Sequence, residues 1–270
     1  MIKKITQIVS GVLWGGAEAQ VLCQSKALQE AGYRLEIVSF NEEEPAVRYR
    51  KAGLACTVVD ESFGLIYLIR TLLKHLRSSS PNILIAHGYK ECVVAALLSL
   101  LTKTPWISTF HGLGENYRGW KCFKMSLYAA AQKQVSRYLS THLICVSADL
   151  ARRLSLDRLS KLSIVHNAVD LESEKAIDDI FPEKPAIVSA GRLAPIKRLD
   201  RALRVFRKVN LLRQTDGLTP AHLYIMGEGP EESVLRRLSE ELGINEFVNF
   251  VGFRQDAPEL LSCADLVILS

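Results

Sequence analysis

The sequence predicts an α/β protein carrying two parallel sheets, and three observations predict it. Short apolar, β-branched runs alternate with amphipathic stretches along all 270 residues. The clearest run, Pro185-Ala186-Ile187-Val188-Ser189-Ala190, is continuous rather than alternating, the pattern of a strand covered on both faces. The alternation breaks from Asp170 to Lys184, where Asp170, Glu172, Glu174, Asp178, Asp179 and Glu183 crowd a stretch without apolar periodicity. That stretch reads as a linker ending at Phe181-Pro182, so the expected domains are residues 1–180 and 181–270. Two domains also suit the length. Each is expected to be Rossmann-like with right-handed crossovers, and the two to face each other across a cleft.

In the first domain the expected strands are 5–10, 34–40, 54–59, 82–86, 106–110, 143–146 and 163–165. Between them, helices are expected over 17–30, 45–52, 65–76, 91–101, 117–139 and 148–156. Gly32 and Gly53 stop the first two helices, and Ser78-Ser79-Ser80-Pro81 breaks the chain after the third. In the second domain Leu199, Leu203, Phe206 and Val209 recur at helical spacing after the 186–190 strand. The expectation there is helix 198–212, strand 222–226, helix 231–242, strand 247–251, a short helix 257–263 and strand 266–269. The sheet order expected for these four strands is 3-2-1-4.

Hydrophobic residues make up 48% and charged residues 23%, enough apolar content for ample core. The net charge is +5. Such mild basicity suits phosphorylated ligands or anionic lipid and is too weak to argue for nucleic acid. The six cysteines are scattered without a C-x-x-C pair, so they read as buried thiols of a reducing compartment, with no metal site. Lys3-Lys4, the run from Ile5 to Trp14 and Ala17-Glu18-Ala19 imitate a secretory signal. Thr6, Gln7 and Ser10 interrupt that run, which is read as mature structure. The apolar run Cys92 to Leu101 is too short to span a bilayer.

Five turns carry the candidate chemistry, all at carboxyl ends of expected strands, where open α/β sheets gather ligands. Gly191-Arg192-Leu193-Ala194-Pro195-Ile196-Lys197 sets two cations, Arg192 and Lys197, at the mouth of a strand-to-helix turn. With helix N–H groups beside them they suit a diphosphate; an ordinary solvated basic turn has the same spacing. Trp14-Gly15-Gly16-Ala17-Glu18 opens the first helix with two glycines that let a ligand approach the backbone, or that serve only the turn. His111, in Thr109-Phe110-His111-Gly112, is placed to hydrogen-bond a sugar hydroxyl or a developing negative charge, or stands as a structural histidine. Gly227-Glu228-Gly229-Pro230 reads as another close-approach loop or a plain capped turn. Phe253 and Arg254 follow the 247–251 strand and are expected beside the Gly191 loop, offering groups to a base. His166-Asn167-Ala168-Val169-Asp170 reads as a turn. From Asn116 to Ala148 there is no Asp or Glu, while cations alternate with aromatics, which suits either an anionic membrane surface or a solvated helix.

Together these stretches resemble the family 4 (group 1) glycosyltransferases of the glycosyltransferase B fold. The matching pieces are Gly15-Gly16-Ala17-Glu18, His111-Gly112, Val146-Ser147, Asn167-Ala168-Val169-Asp170, Gly191-Arg192-Leu193 with Lys197 and Asp200, Gly227-Glu228-Gly229-Pro230, Phe250-Val251-Gly252 and Ala264-Asp265-Leu266. They run through nearly the whole chain in family order. The resemblance implies transfer of a sugar from a UDP- or GDP-linked donor to a polysaccharide or lipid-linked acceptor, with retention of anomeric configuration and no further cofactor. It implies that Arg192 and Lys197 hold the diphosphate, that Gly15 and Gly16 line the donor and acceptor site, that His111 contacts the donor sugar, that the glycine loops at Gly191, Gly227 and Gly229 bind the donor, and that Phe253 and Arg254 meet the base. It implies a cytoplasmic protein, peripheral on the inner face of the cell membrane. Two departures stand out. Ile196 occupies a position that is often Glu in the family, and the sequence ends at Ser270, before the family's glutamate loop and C-terminal helix. On that account the second domain is expected to be incomplete and the activity impaired. A sugar-nucleotide epimerase of the same fold and a non-catalytic fragment are the alternatives.

Overall fold

The computed structural model describes residues 3–12, 14–112, 120–168, 181–254 and 256–269. The chain divides into two compact units, Met1–Asp170 and Leu171–Ser270. The boundary expected after residue 180 falls at the end of 169–180, outside the described residues.

The first unit is built on seven strands: β1 (Lys4–Val9), β2 (Arg34–Ser39), β3 (Ala55–Val58), β4 (Ile83–His87), β5 (Trp106–Phe110), β6 (His142–Cys145) and β7 (Leu162–Ile164). All pair in parallel, in the order β3-β2-β1-β4-β5-β6-β7. The helices are α1 (Gly16–Glu30), α2 (Glu44–Lys51), α3 (Leu65–Ser79), α4 (Tyr89–Thr102), α5 (Trp120–Leu139) and α6 (Ala148–Arg153). Neighbouring residues of β1 serve opposite faces of the sheet. Ile8 joins a core with Leu68, Leu72 and Leu76 of α3, Leu98 of α4 and Trp106, while Ile5 and Val9 join one with Val21 of α1, Ile37 and Tyr49. The buried Trp106 indole donates to the Leu139 carbonyl at 3.0 Å, so its polar edge is satisfied. The apolar start of the signal-like segment is therefore β1, an interior strand of the sheet flanked by β2 and β4.

The second unit carries β8 (Ala186–Ala190), β9 (His222–Met226), β10 (Val248–Gly252) and β11 (Leu266–Val267), with α7 (Leu199–Thr215), α8 (Glu232–Glu241) and α9 (Ala257–Ser262). The order is β10-β9-β8-β11, all parallel, as the 3-2-1-4 reading requires. Its strands also alternate between faces: Leu223 and Ile225 pack with Leu203 and Phe206 of α7, and Tyr224 and Met226 with Leu260 and Phe181.

Several ends differ from expectation. α6 stops at Arg153 because Ser155 turns left-handed, at φ 55°. A 3-10 turn over Pro195–Lys197 precedes α7, and Arg198 at φ 49° separates the two. β11 covers Leu266–Val267 rather than running to 269. Of the cysteines, Cys92 and Cys145 are buried, whereas Cys23, Cys56 and Cys263 are only half-buried. In the basic, aromatic helix, Tyr117 and Arg118 lie outside the described residues, while Phe123 and Leu127 are exposed. Among the described residues no helix is long and apolar enough to cross a membrane.

Candidate functional site

In the first unit, parallel register brings three strand ends level: Val9 of β1 pairs with His87 of β4, and His87 with Thr109 of β5. β1 leads to Gly15-Gly16 and α1, β4 to Gly88 and α4, and β5 to His111-Gly112. A Cβ placed on Gly16 would meet no atom within 4 Å, and one on Gly15 would touch only the end of the Glu18 side chain at 3.2 Å. Gly15 has extended backbone, φ −153°. Among the described residues nothing demands glycine at position 16, and Gly15 and Gly16 are exposed at the start of the fifteen-residue α1.

His111 does not stand alone. Its Nε2 lies 2.9 Å from Nδ1 of His87, whose Nε2 lies 2.7 Å from Oε1 of Gln7. Gln7 in turn donates to Ser25 Oγ at 3.0 Å, and Ser25 donates to the Val21 carbonyl at 2.6 Å. Burial, and then proximity to His111, hold the His87 pKa well below its usual 6.5; burial brings His111 down to about 4. Both rings are therefore uncharged at neutral pH, and His111 brings no positive charge to meet an anion. Sequence reading missed His87 and Gln7. The signal was present: Ala86-His87-Gly88 and Phe110-His111-Gly112 end adjacent strands with the same His-Gly pair. Nearby on α4, Glu91 is 2% exposed, and burial raises its carboxyl to about 7.

In the second unit a cavity at the carboxyl end of β8 is walled by Ser189, Gly191, Arg192, Lys197 and Leu199. The Lys197 ammonium reaches back over the turn, 4.0 Å from where a Cβ on Gly191 would sit. Arg192 and Lys197 are both exposed. Arg198, the next cation along, is engaged by Asp200 at 3.0 and 3.1 Å.

The glycines of the next loop pack against a neighbouring loop. A Cβ on Gly227 would fall 2.1 Å from the Gly191 carbonyl oxygen, and one on Gly229 2.4 Å from that of Leu193. The space beside them is filled by protein backbone, so their smallness lets two loops touch. Hydrogen bonds then lash those loops together: Gly191 N–H to Met226 O at 2.9 Å, Leu193 N–H to Glu228 O at 2.9 Å and Glu231 N–H to Leu193 O at 3.0 Å. The Phe253–Arg254 segment follows β10, which pairs with β9 and not β8. It consequently adjoins the Gly227 loop, through Gly227 N–H to Gly252 O at 2.7 Å, instead of the Gly191 loop. Phe253 is exposed, and Arg254 grips Asp256 with two hydrogen bonds of 2.8 and 2.6 Å.

Residues 14–173 match the family model described as Glycosyltransferase Family 4, and residues 170–270 the model described as Glycosyl transferases group 1. The chain is 24% identical over 268 residues to the lipopolysaccharide core biosynthesis glycosyltransferase LpsE of Rhizobium meliloti, covering 95% of this chain and 69% of that protein. It is 33% identical over 107 residues to the N-acetylgalactosamine-N,N'-diacetylbacillosaminyl-diphospho-undecaprenol 4-alpha-N-acetylgalactosaminyltransferase of Campylobacter jejuni, covering 39% and 27% of the two. In fold it is similar to Anabaena Alr3699/HepE in complex with UDP and glucose, with a TM-score of 0.82 at 17% identity, covering 99% of this chain and 74% of that one.

Proposed function

The chain belongs to Glycosyltransferase Family 4, and from that membership we propose that it moves a sugar from a UDP- or GDP-linked donor to a glycan or lipid-linked acceptor, with retention of anomeric configuration. The observation that carries this reading is the pairing of Arg192 and Lys197 on one cavity at the carboxyl end of β8. As a glycosidic bond to a nucleoside diphosphate lengthens, negative charge gathers on the diphosphate oxygens. Cations fixed there stabilise the transition state more than the ground state, which is what accelerates a reaction. The Arg192 guanidinium can grip two oxygens at once, and the Lys197 ammonium acts as a compact point charge. In the first unit, the open start of α1 offers backbone N–H groups to a polar or anionic ligand, and His111 meets a hydroxyl of the transferred sugar.

The relatives support both substrate classes. HepE was solved with UDP and glucose, and the Campylobacter enzyme is named for a diphospho-undecaprenol-linked sugar. A lipid-borne acceptor would bring this chain to an anionic membrane surface, which suits its net charge of +5 and the exposed Phe123 and Leu127 of α5.

Incubating the chain with α-linked UDP- and GDP-hexoses, with and without a bacterial lipid-linked glycan extract, tests the proposal. Donor consumption that requires the extract and yields an α-linked product is expected. A new sugar nucleotide formed from donor alone would assign an epimerase instead.

A further inference from the structure

The hydrogen bonds behind His111 have a direction, and it can be worked out from their far end. Ser25 Oγ lies 2.6 Å from the Val21 carbonyl oxygen. Two oxygens at that separation need a proton between them, and only the hydroxyl has one to give. Ser25 therefore accepts from Gln7, which turns the Gln7 amide nitrogen toward Ser25 and its Oε1 toward His87. Oε1 can only accept, so His87 carries its proton on Nε2. An uncharged ring protonated there has a bare Nδ1. That Nδ1 accepts from His111 Nε2, so the single proton of neutral His111 sits on Nε2. What remains is His111 Nδ1, an acceptor shut off from solvent with no hydrogen-bond partner among the described residues.

The geometry points to Gln7 and His87 as positioning residues that lock His111 into the tautomer whose free Nδ1 accepts a hydrogen bond from a substrate hydroxyl. The tautomer follows from the hydrogen bonds alone; identifying the donor as a sugar hydroxyl rests on the sugar-transfer reading above. That tautomer narrows what His111 can do. A lone pair at Nδ1 repels an oxyanion and welcomes an O–H, so of its two expected partners the hydroxyl fits and the developing negative charge does not. It also sets specificity: a donor lacking that hydroxyl would leave a buried acceptor unpaired.

A long-range proton–nitrogen correlation spectrum of the full chain reads ring tautomers without substrate, with the His111 signals identified by their loss in His111→Gln. Both His87 and His111 should be protonated on Nε2. Gln7→Glu should set a carboxylate against His87 Nε2, hold a proton on both His87 nitrogens and force the His111 proton onto Nδ1. In turnover of a UDP- or GDP-hexose, that variant should lose about tenfold or more in kcat/KM, with affinity for UDP or GDP alone unchanged. His87→Gln keeps one donor and one acceptor in line, so it should preserve the His111 tautomer and most of the turnover. A wild-type His111 protonated on Nδ1, or a tautomer indifferent to Gln7→Glu, would overturn the relay. The expected tautomers without turnover of any nucleotide sugar would overturn the hydroxyl assignment together with the transferase reading, and leave the relay itself supported.

Discussion

Burial keeps the His87 and His111 rings uncharged at neutral pH and pushes the Glu91 carboxyl the other way, up to about 7. The two effects tilt stability in opposite directions. Between about pH 4 and 6.5 the unfolded chain protonates His111 and the folded chain does not, and His87, held well below 6.5, acts in the same direction, so both make stability rise with pH. Glu91 has its folded pKa raised above the ordinary 4.5, so in the folded chain it binds its proton more tightly than in the unfolded one. Its contribution is present below 4.5 and is lost as pH rises through about 7. Glu91→Gln keeps the shape and removes the titration. Relative to wild type, the variant should therefore gain stability from pH 5 to pH 8, by on the order of 2–3 kcal/mol. Denaturant unfolding at the two pH values measures this. A difference between variant and wild type that stays constant with pH would mean that Glu91 titrates as an ordinary exposed carboxyl.

At the scale of elements, the loops after β8, β9 and β10 act as one backbone assembly. The Gly191 turn that presents Arg192 and Lys197 is held by the Gly227 loop, and that loop by the end of β10. Gly229→Ala would drive a Cβ to within 2.4 Å of the Leu193 carbonyl oxygen, which is backbone and cannot step aside cheaply. It should destabilise the second unit by about 1–3 kcal/mol and weaken nucleotide binding by displacing the turn that carries Arg192. Gly16→Ala is the contrast. The space there is open and alanine favours a helix start, so folding should be unaffected or slightly improved while turnover falls. Thermal melts alongside turnover measurements separate the two; equal stability losses would erase the distinction between a packing glycine and a glycine facing ligand. Sequence alone could not make that distinction. Gly-x-x-Gly and Gly-Gly spacings say that backbone approaches something closely, but whether the neighbour is another loop or a ligand depends on which strands are adjacent.

For the whole molecule, the alternation of strand and helix was legible because buried parallel strands need continuous apolar runs. The 3-2-1-4 order of the second sheet followed from the same reasoning. The position of Phe253 and Arg254 did not, because in that order the third strand touches the second and not the first. Gln7 was legible only as a polar interruption in an apolar run. Its role required knowing that β1 lies beside β4 and that α1 carries Ser25 over it. The central claim is that Arg192 and Lys197 bind the diphosphate of a nucleotide sugar, and calorimetric titration with UDP and with GDP tests it most directly. Charge-assisted hydrogen bonds are worth about 1.5–3 kcal/mol each, so Arg192→Ala and Lys197→Ala should each weaken binding roughly tenfold to a hundredfold, far more than they lower stability. Affinity for both nucleotides unchanged in both variants would contradict the claim.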